Sequence, residues 1–412
     1  MTTDRVVLAV FATAPSPYRV HQHQRIAREL GDQVELWSVF LHEHNWQPWA
    51  TELPAEIRPV VFGRGESAAG KNRGAGWLRE WKKAGEAIQW LRDHQVDAVI
   101  TSGYHDLGLM RLIAWCRRTG TPNYLFGDSN VYGDRARGWR RWLKRLYVGW
   151  AVRSVTGLLP CGEYGRQYFE QYGGRNKPSF FMPHEPDYGK IFAVTAEQRA
   201  SIQKKFGLRS DRRYFLYSGR LAPVKRVDTL IDAFAQIASQ RPGWDLLLIG
   251  GGPLEGELRA RVPQSIQDRV IWTDFINDSA ELSALYTCGD VFVLPSSYEP
   301  WAVVVCEAAA AGLPIVASRA VGAAGELCRE GINGRLFTPG NVDELANVLL
   351  EVTASDEHLA TLSRGSLAVL DDWRRRGDPV QGVQLALAHA GLLPPPPPAE
   401  PDPATPRVRS GR

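Results

Sequence analysis

Short apolar, β-branched runs alternate with stretches of helical periodicity along most of the chain. In the first half RVVLAVFA (5–12) leads into the helix-like RVHQHQRIAREL and then QVELWSVF (33–40). DAVITSG (97–103) precedes a helix-periodic stretch ending near Cys116, and PNYLFG (122–127) follows. The rhythm then restarts with RYFLYSG (213–219), a helix over 227–240, DLLLIGGG (245–252) and a helix from about 253. RVIWTDF (269–275) and DVFVLPS (290–296) come next; a helix from about 302 leads into PIVAS (314–318), and RLFTP (335–339) leads into VDELANVLLEVT. Apolar strands linked through helices by short connections predict an α/β chain with parallel, doubly wound sheets. The restart predicts two Rossmann-like domains, with a boundary in the polar, irregular stretch 183–212. The expected division is an N-terminal domain over 1–185, a C-terminal domain over 186–391, and a solvated Pro-rich tail over 392–412.

Composition narrows the class without changing this picture. The chain has 412 residues, of which 44% are hydrophobic and 23% charged, which excludes wholesale disorder and suits two domains. No run reaches the roughly 18 apolar residues of a membrane span, and the start lacks the basic region of a signal peptide. Five cysteines (Cys116, Cys161, Cys288, Cys306, Cys328) form no CxxC pair, so neither a disulfide framework nor a zinc ribbon is expected, and a reducing cytosol fits. Charge is uneven. Residues 1–208 carry 29 Lys and Arg against 20 Asp and Glu, whereas residues 209–412 carry 20 against 25. A basic first half suits an anionic partner on that side, or is simply a solvated surface.

Three segments carry chemistry. SSYEPWAVVVCEAAAAGLPIVAS (296–318) reads as a strand end, a loop with Glu299, a helix from near Ala302, and a stop at Gly312 and Pro314. Glu299 stands just outside the helix start and Glu307 inside it, with backbones about 10 Å apart. A helix start after a strand offers free N–H groups to a phosphate, so the two carboxylates would grip opposite ends of an elongated ligand. The plainer alternative is a buried alanine-rich helix with a surface Glu at each end. In YSGRLAPVKRVDTLIDAF (217–234) a strand ends at Gly219, and Arg220 and Lys225 stand in the loop before a helix. Two permanent cations there suit a diphosphate leaving group without a metal. LLLIGGGPLEGELR (246–259) is a strand, a glycine turn containing Gly251, and a helix start. Glu255 stands where a G-x-G-x-x-G fingerprint needs glycine, so the turn is weak evidence for a dinucleotide oxidoreductase. No Asp-x-Asp pair occurs, and His21-Gln22-His23 and His42-Glu43-His44 lack further ligands. These read as lone surface histidines, and neither a metal nor another cofactor is expected.

These segments in this order, with GINGRLFTPGNVDEL (331–345), resemble the family 4 glycosyltransferases of GT-B fold. The resemblance covers roughly 205–350; the first half is similar only in its strand–helix rhythm, and its SPYRV loop (16–20) replaces the usual glycine-rich turn. It implies two Rossmann-like domains facing across a cleft, the first taking the acceptor and the second a nucleotide-sugar co-substrate. Arg220 and Lys225, after Gly219, match the pair that binds the donor diphosphate, with the Gly251 turn nearby. Glu307 matches the carboxylate on the donor ribose, and Glu299 the one facing the donor sugar. Trp301, Ala302 and Val303 match the backbone that approaches sugar and phosphate, although Ala302 departs from the usual glycine. His105, after DAVITSGY, is the nearest counterpart of the first-domain histidine facing the anomeric carbon; a structural histidine at a strand end is the other reading. LDDWRRRGDPVQGVQLALAHAG (370–391) is expected to cross back and brace the first domain. Implied is a retaining, metal-independent transfer of a hexosyl group to a hydroxyl of a glycan, glycolipid or small glycoside. A nucleotide-sugar 2-epimerase on the same fold and a non-catalytic sugar-nucleotide binder are the alternatives.

One segment lies outside that resemblance. RARGWRRWLKRLYVGWAVRS (135–154) has six basic residues between Arg135 and Arg145, and Trp139, Trp142, Leu143, Leu146 and Trp150 share a helical face. Two readings stand: a basic amphipathic helix on an anionic membrane surface, or a helix packing its Trp face onto its own sheet. The second is favoured, because a doubly wound domain needs covering helices. No nucleic-acid module is visible. The expected location is cytoplasmic, at most peripheral to the inner membrane face.

Overall fold

Strands covered by helices on both faces are apolar along most of their length, and the inner parallel strands here follow that rule. The computed structural model describes residues 5–44, 51–68, 76–134 and 136–396. Arg135 and the tail from 397 onward, which the sequence reading includes, lie outside the described residues.

The first sheet is built from β1 (Val6–Ala12), β2 (Val34–Phe40), β3 (Pro59–Val61), β4 (Ala98–Ser102), β5 (Asn123–Gly127) and β6 (Gly157–Pro160). Helices α1 (Pro17–Glu29), α2 (Gly76–Asp93), α3 (Leu107–Thr119) and α4 (Gly138–Ser154) connect them, and α5 (Glu163–Phe169) follows. All pairs are parallel, in the order β3-β2-β1-β4-β5-β6. The segment leading to the second sheet contains α6 (Tyr188–Phe192) and α7 (Ala196–Lys205).

The second sheet begins with β7 (Arg213–Ser218), α8 (Val227–Ile237), β8 (Trp244–Ile249), α9 (Glu255–Arg261) and β9 (Val270–Trp272). It continues through α10 (Ser279–Tyr286), β10 (Val291–Leu294), α11 (Val303–Ala310), β11 (Ile315–Ser318), α12 (Ala324–Leu327) and β12 (Gly334–Phe337). Its order, β12-β11-β10-β7-β8-β9, is again wholly parallel. Two parallel six-stranded sheets are thus present, the two-sheet architecture that the sequence rhythm predicts, with β3 and β6 added as strands too short to announce themselves. Helices α13 (Val342–Val352), α14 (Asp356–Arg376) and α15 (Pro379–His389) close the chain.

Helix α15 packs on α1 of the first sheet's layer. Tyr124 Oη, from β5, donates to Ala386 O at 2.5 Å, and Arg25 in α1 pairs with Asp378 at 2.8 Å and Glu185 at 2.5 Å. Trp301, 3% exposed, joins the two halves: its Nε1 donates to His184 O at 2.7 Å, and its ring lies 5.7 Å from that of Trp373.

Two expectations about side-chain placement are corrected. His23 and His42 are buried rather than on the surface: His23 Nδ1 is 2.8 Å from Ser38 Oγ, and His42 Nε2 is 3.2 Å from Glu80 Oε1. Burial pushes His23 down to about 3, so it is a neutral hydrogen-bonding core group. The Trp-bearing face of α4 also packs inward only at its end, where half-buried Trp150 lies against the core. The first half of α4 presents Trp139, Trp142, Leu143 and Leu146 to solvent, while Val148, Ala151 and Val152 in the second half are buried in the core. Among the described residues, no helix is long and apolar enough to cross a membrane.

Candidate active site

In a doubly wound sheet the loops leaving the strands at the point of order reversal diverge, opening a crevice at their carboxyl ends. That reversal falls between β7 and β10 in the second sheet and between β1 and β4 in the first. Lys225 closes a 3₁₀ turn (Pro223–Lys225) after β7, and Glu299 stands in the loop after β10. The topology therefore brings them together across 74 positions, with Lys225 Nζ 2.5 Å from Glu299 Oε1. Ser296 Oγ donates to the same oxygen at 2.7 Å. Glu299 is 7% exposed, and two bonds to one oxygen compensate its removal from water. Both bonds use Oε1. An ammonium has three N–H groups, so the contact with Glu299 leaves Lys225 able to donate elsewhere.

Around this pair the backbone is tightly packed. Gly250 has φ +122°, and a Cβ there would sit 2.2 Å from Gly219 O; at Gly252 it would sit 2.4 Å from Leu221 O. The loops after β7 and β8 thus touch backbone to backbone, and Leu221 N donates to Gly251 O at 2.9 Å. Gly251 itself has space for a side chain, its nearest neighbour being Phe275 N at 3.7 Å from the would-be Cβ. The flanking glycines are required by loop packing, which is the physical reason for the triple-glycine turn. Arg220 is exposed and forms no ion pair among the described residues.

Glu307 lies within α11, where Tyr286 Oη donates to its Oε2 at 2.8 Å. Burial pushes its carboxyl up to about 7, against the opposing effect of the tyrosine bond. Trp301 buries its ring against Trp373 and donates from Nε1 to His184 O, so the ring is committed to packing. Val303 opens α11, and Ala302 before it adopts φ 82°, ψ 83°. A left-handed alanine costs about 1–2 kcal/mol that a glycine does not incur. Ala302→Gly is therefore expected to raise stability by about 0.5–1 kcal/mol after the entropic cost of glycine. Urea denaturation checks this; a lower midpoint would mean that the Ala302 methyl contributes more than the strain costs.

The first domain reaches this loop through Asn130, which sequence reasoning did not single out. Its Nδ2 donates to Glu299 O at 2.7 Å and Pro300 O at 3.1 Å. Tyr298 packs over Gly133, where a Cβ would be 2.3 Å from its ring, and burial pushes its phenol up to about 12. Asp128, at the end of β5, is reachable by solvent yet walled by protein; burial pushes its carboxyl above the usual range, with Arg19 opposing. None of these has a spacing signal, since each matters only through a segment distant in sequence. His105 sits after β4, at the first sheet's own switch point, with Nε2 3.5 Å from Asp106 Oδ2. Its ring folds back against Gly103, whose would-be Cβ lies 2.7 Å from Nδ1. Lys225, Ser296 and Glu299 are thus joined directly; Gly251 bonds the loop after β7 through Leu221 N, Glu307 is bonded to Tyr286, Arg220 has no ion pair among the described residues, and His105 follows a strand of the other sheet.

Among the described residues one cluster gathers ligand atoms within 4.8 Å, namely His42, Glu66 and Glu80. Lys83 Nζ already occupies it, 2.7 Å from Glu66 Oε2, 3.1 Å from Glu80 Oε1 and 2.9 Å from Leu41 O. A lysine ammonium supplies the positive charge there, so the cluster is an internal ion-pair network.

Comparison with known proteins bears on the family and the fold. Residues 198–366 match the model for glycosyl transferases group 1, and residues 18–183 match that for the glycosyl transferase 4-like domain. An uncharacterized glycosyltransferase of Methanocaldococcus jannaschii is 33% identical over 151 residues, 36% of this chain and 38% of that protein. The GDP-mannose-dependent alpha-(1-6)-phosphatidylinositol monomannoside mannosyltransferase of Mycolicibacterium smegmatis is 29% identical over 265 residues, 59% of this chain and 68% of that protein. With several other curated relatives the chain shares only 34% to 44% of their length. The crystal structure of Anabaena Alr3699/HepE in complex with UDP-glucose superposes with a TM-score of 0.70 at 20% identity, covering 94% of this chain and 100% of that one.

Proposed function

The chain belongs to the family 4 glycosyltransferases of GT-B fold, and on that premise we propose that it transfers a hexosyl group from a nucleotide-diphosphate sugar to an acceptor hydroxyl, with retention and without a metal. The observation that carries this reading is the Lys225–Glu299 ion pair at the switch point of the second sheet. A diphosphate seated on Lys225 and Arg220 would have its sugar beside Glu299 and its ribose toward Glu307. The acceptor hydroxyl attacks the anomeric carbon from the face the diphosphate leaves. The bond from that carbon to phosphate oxygen breaks, the bond to the acceptor oxygen forms, and the hydroxyl proton passes to the departing phosphate. Charge grows on the leaving oxygen during this step, and cations held in place beforehand stabilise it more than the ground state. Such cations do what a divalent ion does in metal-dependent transferases, and this supports metal independence.

The first domain would take the acceptor, since Asn130 carries its edge against the Glu299 loop. Polysaccharide, glycolipid or small-glycoside assembly are the settings this reading covers. The test is a screen of UDP-, GDP- and ADP-sugars with the full chain, with and without magnesium. One nucleoside diphosphate is expected to raise the melting temperature in chelator; a ligand at 100 times its Kd adds about 2.7 kcal/mol. Product from an α-linked donor should be α-linked by NMR. An inverted linkage, an absolute need for magnesium, or an isomerised nucleotide-sugar without transfer would each overturn the corresponding part of the reading.

A further inference from the structure

Helix α4 opens against ordinary helix electrostatics. The positive end of the helix dipole favours acidic and capping side chains. Yet Arg137 precedes α4 with no side-chain cap bond, its first turn holds no acid, and Arg140, Arg141 and Arg145 follow. The whole segment 135–154 contains no Asp or Glu. Over the same turns Trp139 is 68% exposed and Trp142 60%, and Leu143 and Leu146 are exposed with them. Cations at the wrong end of a helix and solvated tryptophans both weigh against folding. A surface that is apolar beneath and anionic at its face relieves both at once.

We propose that the exposed start of α4, together with the start of α2, docks on the headgroup layer of an anionic bilayer. Helix α3 packs against both α2 and α4, and Arg111 from α3 lies 4.7 Å over the ring of Trp81. All three helices start from the carboxyl edge of the first sheet, so exposed Trp77 and Trp81 share a rim with Trp139 and Trp142. Tryptophan rings settle at headgroup depth, and arginines beside them meet lipid phosphates. A second copy of the chain would set the same arginines against one another. Nucleic acid would engage the cations but leave Leu143 and Leu146 in water. The proposal does not depend on the transferase reading, because it rests on this rim alone.

Sedimentation of the full chain with phosphatidylcholine vesicles, with and without phosphatidylglycerol and at low and high salt, tests it. Binding is expected to anionic vesicles only and to fall at high salt. The pairs Trp139→Ser/Trp142→Ser and Arg140→Ser/Arg141→Ser should each weaken it by about tenfold or more, with an unchanged melting curve because these side chains are exposed. Absence of co-sedimentation at low salt overturns the proposal. So does equal binding of the variants, or self-association or RNA binding that these variants abolish while vesicles are ignored.

Discussion

Lys225→Ala is expected to lower turnover by about 10²–10³-fold, the usual cost of removing one preorganised donor from a developing anion. The ammonium is 2.5 Å from the carboxylate of Glu299, a residue 7% exposed, so the variant also leaves that carboxylate buried with only the Ser296 hydroxyl bonded to Oε1. That second effect acts on stability and is read separately, as a melting temperature lowered by a few degrees. The kinetic effect should appear in kcat at saturating donor, with the acceptor KM changed much less. Lys225→Arg should recover part of the rate, because charge is retained while the contact geometry differs. Unchanged turnover in Lys225→Ala would remove the leaving-group role and, with it, the main support for metal independence.

Glu307→Gln should weaken nucleotide-sugar binding by about 10–100-fold at pH 8, the scale of a lost hydrogen bond to a charged group. Glu307 titrates near neutrality, since burial pushes it up to about 7. Ribose hydroxyls donate to a carboxylate better than to a neutral carboxyl, so native-protein affinity should rise from pH 6 to pH 8 and then level off. The same shift has the opposite sign for stability. A carboxyl whose folded value lies above its unfolded value keeps its proton longer in the native state, so stability falls as pH rises between about 4.5 and 7. Glu185, also pushed up to about 7 despite its bond to Arg25, adds to this slope. Removing Glu307 should therefore flatten the slope without abolishing it, and Glu307→Gln should be more resistant to urea at pH 8. Isothermal titration and urea melts from pH 5 to pH 8 provide both curves. A pH-independent affinity would place the ribose elsewhere.

Much of the second sheet is legible because its strands are buried on both faces. Leu246, Leu247 and Leu248 in β8, and Val291 to Leu294 in β10, are fully buried, and such runs read as strands without any alternation. By contrast β3 has three half-buried residues and β6 four buried ones, both at a sheet edge and too few to show a period. The histidines at 23 and 42 misread for a related reason. A polar residue in a helix or at a strand end gives no local sign that Ser38 or Glu80 awaits it inside. For α4 the periodic apolar face is real, but periodicity says only which residues lie together, not whether a neighbour covers them.

The sequence by itself determined the two α/β repeats, the loops that hold Arg220, Lys225 and Glu299, and the place of Glu307 on a helix. Each of these is a local matter of apolar period, glycine position and spacing along one segment. Tertiary structure decided that Lys225 and Glu299 meet, that Asn130 reaches across from the first domain, that Tyr286 holds Glu307, and that Trp139 and Trp142 of α4 stay outside while Trp150 packs on the core. The reason is that strand order, not sequence order, sets which loop ends converge. The reversal between β7 and β10 is written in no single segment, because it arises only when every strand has found its covered place in the sheet.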